Sequence, residues 1–233
     1  INEMQAQGLL VDFLEITGEI IRVPVKAIGG KPDTGGQKSG YYAINQVGEH
    51  MFCTYGNWKT GFEGKWSSID TNQLSIVDRQ ELQKQMEEAG AKSRKERQQR
   101  QDEVAVEMQE KFKICHEAID HEYLTNKKVK SYGLKQLNGR LIVPVYNTTG
   151  QIRSLQYIDK KGEKRFASAS EIKGNVFLIG TTLQDLNNIE KLILVEGYST
   201  AASVYEATQI PVACVFSANF LLDAATKTRR LTG

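Results

Sequence analysis

The sequence has few of the residues that build zinc ribbons or disulfide frameworks. Its three cysteines are Cys53, Cys115 and Cys214, and none of them belongs to a C-x-x-C pair. A structural zinc site usually takes closely spaced pairs of Cys or His. His50 and Cys53 have a spacing that suits one half of such a site, but no second pair follows. We therefore expect no zinc and reduced, structural thiols.

Long apolar runs and a strong charge of either sign are also missing. No run approaches the roughly 20 residues that a membrane-spanning helix requires, and the N-terminus has no signal-peptide pattern. We therefore expect a cytoplasmic protein with no membrane partner. The formal net charge is only +2 over 233 residues, so local patches must decide whether nucleic acid is a partner.

Composition divides the chain into three parts. Short extended runs separated by glycines predict a small antiparallel β domain over residues 1–72. Residues 73–120 are rich in Gln, Glu, Lys and Arg and contain no proline, which predicts a charged helical connector. Strands and helices alternate over 121–233, which is typical of an α/β region. The predicted fold class is therefore α+β.

The most informative stretch is a predicted buried strand, Leu192 to Val195, that runs into Glu196 and Gly197. A carboxylate at the C-terminal tip of a buried strand lies where open α/β sheets place their chemistry. Gly197 is predicted to make the tight turn that presents Glu196, and Ser199 or Thr200 is predicted to cap the following helix. Because an isolated Glu-Gly pair is more often structural, the neighbouring sequence has to decide.

That neighbouring sequence resembles the first half of a Toprim domain, as found in the primases and primase-helicases of phages and plasmids. The resemblance lies in the runs 194–208 and 211–219. Upstream, the segments 139–145, 154–158 and 163–166 follow one another in the order expected for this family. It divides the C-terminal region into a basic β-rich subdomain at 121–185 and the first half of a parallel Toprim sheet at 186–233.

The resemblance implies a DNA primase, a nucleotidyltransferase that makes RNA primers from ribonucleoside triphosphates on a single-stranded DNA template. Glu196 matches the Toprim glutamate that holds a divalent metal together with a D-x-D pair from the third strand. Hard carboxylate oxygens suit Mg²⁺ or Mn²⁺. No D-x-D follows Glu196 in the sequence, so we expect a fragment of a longer primase, inactive alone. Since the family includes primase-helicases, a helicase domain in the same longer chain is a further partner that the resemblance allows.

The segment before the Toprim half resembles the basic subdomain that guides template DNA in bacterial-type primases. Tyr157 and Phe166 lie among its cations, and cations interleaved with aromatic faces suit single-stranded nucleic acid. The alternative is that the two rings are core and the cations ordinary surface. The cations that we predict to contact nucleic acid are Arg140, Arg153, Lys164, Arg165 and Lys173.

Other features leave alternatives open. The glycine pairs at 29–30 and 35–36 do not fit the P-loop pattern and are predicted to lie in a hairpin loop. Trp58 and Trp66 either stack on bases or pack in a core. For the whole chain, the alternatives to a primase are another Toprim enzyme, such as a nuclease or topoisomerase, and a non-catalytic nucleic-acid-binding module.

Overall fold

The computed structural model describes residues 1–27, 31–70 and 74–232, and the side chains of all of these except positions 77, 231 and 232. The chain divides into two compact units, Ile1–Glu96 and Arg97–Gly233, called the first and second unit below. The glycine pair at 29–30 lies outside the described residues. Within the described ranges, no helix is long and apolar enough to cross a membrane.

The first unit is built on an antiparallel sheet, as predicted. A short helix, α1 (Asn2–Ala6), precedes β1 (Ile21–Val23), β2 (Gly40–Val47), β3 (His50–Asn57) and β4 (Phe62–Ser67), which pair in that order. One face of the sheet is packed, with Tyr42, Ile44, Cys53 and Tyr55 buried in one cluster. Because side chains alternate along a strand, the residues between them lie on the opposite face.

A buried carboxylate fixes the loop between β1 and β2. The Asp33 side chain is 1% exposed and lies 2.7 Å from the Lys59 amine. It also accepts hydrogen bonds from the backbone of Ser39 at 2.7 Å and of Val25 at 3.0 Å. Burial alone raises the pKa of Asp33, but the hydrogen bonds from Lys59, Ser39 and Val25 outweigh it and hold that pKa well below its usual range. The charge of Lys59 is therefore neutralised within the first unit.

The helix predicted between the β regions is present as α2 (Ile76–Lys113). The boundary between the two units, at Glu96, falls inside it. Its C-terminal part packs as a member of the second unit, where Met108 is buried with Val104 and Phe112 against it. The residues of α2 beyond Glu96 therefore contribute to a core.

The second unit contains two sheets. Five antiparallel strands pair in chain order, with helix α3 (Glu122–Lys127) after the first of them; they are β5 (His116–Glu117), β6 (Lys135–Leu137), β7 (Arg140–Tyr146), β8 (Ile152–Ile158) and β9 (Lys164–Phe166). Both faces of β7 are covered, since Val143 packs in the main core and Ile142 packs with Met108 of α2. Burial on both faces explains its continuous apolar run.

The second sheet has three strands in the order β10-β12-β11: β10 (Phe177–Ile179), β11 (Ile193–Val195) and β12 (Val212–Cys214). Helix α4 (Tyr198–Thr208) joins β11 to β12, which run parallel, while β10 is antiparallel to β12. Helix α5 (Leu221–Thr232) follows. The structure is therefore mixed α/β with antiparallel sheets, a long helix and one parallel strand pair. The antiparallel β10 was not predicted from the sequence.

Candidate active site

Glu196 lies directly after β11, and its side chain is exposed. The Val215 amide, just beyond β12, donates a hydrogen bond of 2.9 Å to the Val195 carbonyl, so the two parallel strands end side by side. Among the described residues, the Glu196 carboxylate has no hydrogen bond or ion pair. No described side chain therefore lies within ion-pair distance of this carboxylate, and its oxygens are open to a ligand.

The Cys214 thiol holds the backbone at Glu196 in place. Its Sγ donates to the Glu196 carbonyl oxygen at 3.4 Å. Burial raises the pKa of the Cys214 thiol to about 12, so the group is a neutral donor at physiological pH and not a nucleophile. A buried, unreactive thiol agrees with the reduced, structural thiol that the sequence predicts at Cys214.

The chain bends at Glu196 and Gly197, between β11 and α4. The bend does not require a glycine, because the φ of −128° and ψ of 154° at Gly197 are extended values that any residue adopts. Gly197 is the N-cap residue of α4, which has no side-chain cap, so the prediction of a cap by Ser199 or Thr200 is wrong. A Cβ at Gly197 would lie 3.3 Å from the Lys164 Nζ atom, which places the Lys164 amine beside the end of β11. We call Glu196, Gly197 and Lys164 the strand-tip site.

The start of α4 is anchored by Tyr198, which is fully buried. Its hydroxyl donates to the Lys130 carbonyl at 2.8 Å and accepts from the Tyr132 amide at 3.0 Å. Glu206 in the same helix accepts from the Lys130 amide at 2.9 Å and from the Tyr132 hydroxyl at 3.1 Å. These bonds fix α4 to residues 130–132 and so limit the movement of the residues that precede the helix.

The five cations predicted to contact nucleic acid do not form one groove, because β9 divides them. Lys164 and Phe166 lie on one face of β9 and Arg165 on the other, as strand alternation requires. Phe166 packs edge-on against Phe216, which follows β12, with ring centroids 5.7 Å apart. Lys164 therefore lies on the face of β9 from which its amine approaches Gly197.

Arg165 faces a different surface. It pairs with Tyr157 across β8 and β9, and with Arg140 these residues line a cavity of about 110 Å³. Asp159 and Glu163 also line it, and the Arg165 guanidinium lies 3.6 Å from the Glu163 carboxylate. The cleft therefore carries both signs of charge.

Arg153 is a structural ion-pair residue. Its side chain is 10% exposed, with Nη2 2.6 Å from Asp102 in α2 and Nε 2.8 Å from Glu171. Burial alone lowers the pKa of Arg153, but the two carboxylates outweigh this and raise it. Lys173 is more exposed, and its Nζ atom lies 3.3 Å from Asp223 in α5. The guanidinium of Arg153 is therefore satisfied within the second unit.

Replacing Arg153 with alanine is expected to lower the free energy of unfolding by about 2 kcal/mol, because Glu171 and Asp102 lose their buried partner. Urea denaturation followed by circular dichroism measures this loss. Arg165→Ala is the matched control, since that side chain is 78% exposed and should change stability by at most about 0.5 kcal/mol. Unchanged stability of the Arg153 variant would contradict the structural assignment.

Glu196 alone is not a complete metal site. In the part of the chain that the structure describes, no group of three or more His, Cys, Asp or Glu side chains is placed to hold a metal ion. Mg²⁺ keeps its water unless several hard oxygens compete for it. The described residues therefore fit one ligand of a divalent metal site and not the whole site.

Comparison with known proteins finds primases. Two curated relatives are both DNA primase TraC of Escherichia coli. One is 30% identical over 182 residues, covering 75% of this chain and 17% of the relative. The other is 29% identical over 206 residues, covering 87% of this chain and 14% of the relative. No family model and no solved structure matches the chain. The chain spans less than a fifth of either relative, and this similarity supports a relationship to DNA primases.

Proposed function

We propose that the chain is part of a DNA primase in which Glu196 is one of the metal-binding carboxylates. One observation carries the proposal: Glu196 is exposed and unpaired among the described residues, at the end of a parallel strand pair, in a chain similar to DNA primases. The proposed substrates are a single-stranded DNA template and ribonucleoside triphosphates. The sheet of β10, β11 and β12 is proposed to be the first part of a Toprim fold.

Primer synthesis is a phosphoryl transfer, which depends on alignment of the phosphates and on neutralisation of their charge. Mg²⁺ or Mn²⁺ supplies that neutralisation when bound. Glu196 would provide one hard oxygen ligand. The Toprim resemblance implies that a D-x-D pair on a third strand supplies the others. We propose no zinc, and a helicase domain in the same longer chain rests on the resemblance alone.

Lys164 is the cation best placed to act with Glu196. Its Nζ atom lies beside Gly197, the residue that follows the proposed ligand. An ammonium on a flexible stem is a common partner for phosphate. We therefore propose that Lys164 binds a phosphate of the template or of the incoming nucleotide. Arg140, Arg165 and Lys173 are proposed as weaker template contacts, and Arg153 is left out because it is paired internally.

Two neighbouring variants test this division. Lys164→Ala is expected to weaken binding of a single-stranded oligonucleotide about fivefold at low salt. It should also reduce the log–log salt slope by about 0.7, the value for one phosphate contact on a single strand. Arg165→Ala, one residue away on the other face, should have less than half that effect on the slope. Fluorescence anisotropy over a salt series measures both.

Equal losses in the two variants would contradict the separation of the two faces of β9. Full binding by both would reject template contact by this strand. A non-catalytic nucleic-acid-binding module is the second candidate function, because Glu196 has no clustered acidic partners among the described residues. That module needs Lys164 but not Glu196, so the charge of Glu196 separates the two functions.

A further inference from the structure

We propose that the solvent-facing side of the sheet in the first unit is a stacking platform for single-stranded nucleic acid. Its residues are Arg22, Tyr41 and Trp58, which we call the platform. The proposal concerns the first unit only and does not rest on the strand-tip site. It assigns a binding role to a surface for which the comparisons with known proteins indicate none.

The Tyr41 ring of the platform packs on the backbone of Gly56. Tyr41 stands opposite Gly56 in the pairing of β2 with β3. A Cβ at Gly56 would lie 2.7 Å from the Tyr41 ring and 2.5 Å from the Phe62 carbonyl oxygen. The ring of Tyr41 therefore lies directly on the Gly56 backbone, where a side chain would collide with it. Covering a strand glycine with a neighbouring ring fixes the ring in one position.

Trp58 stacks on this fixed ring. The Tyr41 and Trp58 centroids are 4.6 Å apart with an interplanar angle of 23°. Arg22, which stands opposite Tyr41 across β1 and β2, places its guanidinium carbon 4.8 Å from the Trp58 centroid. Even so, Trp58 is 48% exposed. The indole is thus held in place by its neighbours while about half of it remains open to solvent, which core packing does not explain.

The side chains next to the Tyr41 ring are short. Ala43 and Thr54 stand opposite each other in β2 and β3, and strand alternation places them on the same face as Tyr41 and Gly56. Their short side chains leave room beside the Tyr41 ring, on the side away from Trp58 in the strand register. A second planar group can therefore lie along this face without displacing a long side chain at that pair.

The charges on this face favour a polyanion. Lys65 is opposite Thr54 and Glu63 is opposite Gly56, so β4 adds one cation and one anion. The Tyr41 hydroxyl donates to Glu63 at 3.4 Å, which directs that carboxylate to the protein. Arg22 and Lys65 form no ion pair with a described residue, whereas Lys59 is bound to Asp33. These two cations, which have no acidic partner among the described residues, thus lie on the same face as the exposed indole.

An exposed indole next to cations that have no acidic partner suits single-stranded nucleic acid. Stacking of a base on an aromatic side chain contributes about 1–3 kcal/mol and depends little on sequence. A guanidinium beside the ring can then bind the phosphate that links two bases. In a duplex the base faces are covered by their neighbours, so the platform should discriminate against duplex. A proline-rich peptide also binds aromatic surfaces, but it does not use the cations.

The chain's two tryptophans allow a direct test. Trp66 stands opposite Cys53, on the other face of the same sheet, and is 45% exposed. In the full chain, Trp66→Phe leaves Trp58 as the only indole, and Trp58→Phe leaves Trp66. Each variant is titrated with oligothymidylate and oligouridylate of about 12 nucleotides, within the usual site size. Emission is expected to be quenched in the Trp66→Phe chain and unchanged in the Trp58→Phe chain.

Affinity provides the second readout. Trp58→Ala is expected to weaken oligonucleotide binding about 5- to 150-fold, the equivalent of one lost base stack. Trp66→Ala is the matched control, and its affinity for the oligonucleotide should stay within about twofold of that of the parent chain. Circular dichroism establishes that both variants fold, and Trp58→Phe, which retains a ring, should lose less affinity than Trp58→Ala. Whichever of the DNA and RNA oligonucleotides binds more tightly identifies the sugar that the platform prefers.

The proposal would be overturned by full affinity in a folded Trp58→Ala chain, by equal quenching of both indoles, or by duplex binding as tight as single-strand binding. Quenching by a proline-rich peptide but not by oligonucleotides would overturn it in favour of a peptide site. The Glu196→Gln chain should quench like its parent, because that residue is not in the platform. Failure of this proposal therefore leaves the proposed primase function untouched, and the reverse also holds.

Discussion

In a full-length primase of the kind proposed, primer synthesis is expected to fall by several orders of magnitude when Glu196 is replaced with glutamine. Glutamine keeps the size and hydrogen-bonding capacity of the side chain but removes the charge that a divalent cation requires. Metal stabilisation of phosphoryl transfer is worth several kcal/mol, and each 1.36 kcal/mol is about tenfold in rate. Incorporation of labelled ribonucleotides on a single-stranded template measures the loss.

Glu190→Gln is the matched control for this experiment. It makes the same chemical change at an exposed residue that precedes the start of β11, at the opposite end of the strand from the strand-tip site. It should leave primer synthesis unchanged. Thermal unfolding of the Glu196 variant should match the parent, since the carboxylate has no partner to lose among the described residues. Full activity of the Glu196 variant would reject the metal-ligand role. A large loss of stability would instead identify a structural acid.

Replacing Gly56 with alanine is expected to destabilise the first unit by about 3 kcal/mol, because overpacking here involves a main-chain atom. The added Cβ would lie 2.5 Å from the Phe62 carbonyl oxygen. That oxygen belongs to β4, which pairs with β3 through Gly56 and Asn57, so it cannot retreat without disturbing the pairing. Urea unfolding followed by tryptophan emission measures the change.

Gly61→Ala provides the comparison for Gly56. Gly61 has a φ of +71° but no atom within 4 Å of an added Cβ, so its substitution should cost only backbone strain, about 1 kcal/mol. Equal losses at the two positions would contradict the close approach described at Gly56. The Gly56 variant should also shift the emission of Trp58, because the Tyr41 ring beneath it would be displaced.

The features that could be predicted from the sequence are those that local pattern determines. Alternating apolar residues and glycine turns predicted the antiparallel sheet of the first unit, and polar helical spacing predicted α2. The apolar run before Glu196 correctly predicted a strand that ends directly before that residue, although the strand is half-buried and not buried as predicted. In each case the signal lies within a short window of sequence, because the period of the side chains is itself local.

The features that could not be predicted depend on partners distant in the chain. Arg153 is neutralised by Asp102, which precedes it by 51 positions, and no local pattern distinguishes such an arginine from one that binds phosphate. Likewise, the approach of the Lys164 amine to Gly197 arises from the packing of separate sheets in the second unit. Gly197 was predicted to make a tight turn because glycine is conformationally free, yet its φ and ψ are values that any residue adopts, so the bend there does not depend on glycine.

The turn between β8 and β9 determines which cation serves which surface. Asp159 closes it by accepting hydrogen bonds from the amides of Lys161 and Glu163 at 2.9 and 2.8 Å, and Gly162 supplies a φ of +90°. A one-residue insertion or deletion there would shift β9 by one position and exchange the faces of Lys164 and Arg165. Changes in the length of this turn therefore move the two cations to other surfaces, whereas substitutions that keep its length do not. Homologous chains should vary in the composition of the turn while keeping its length.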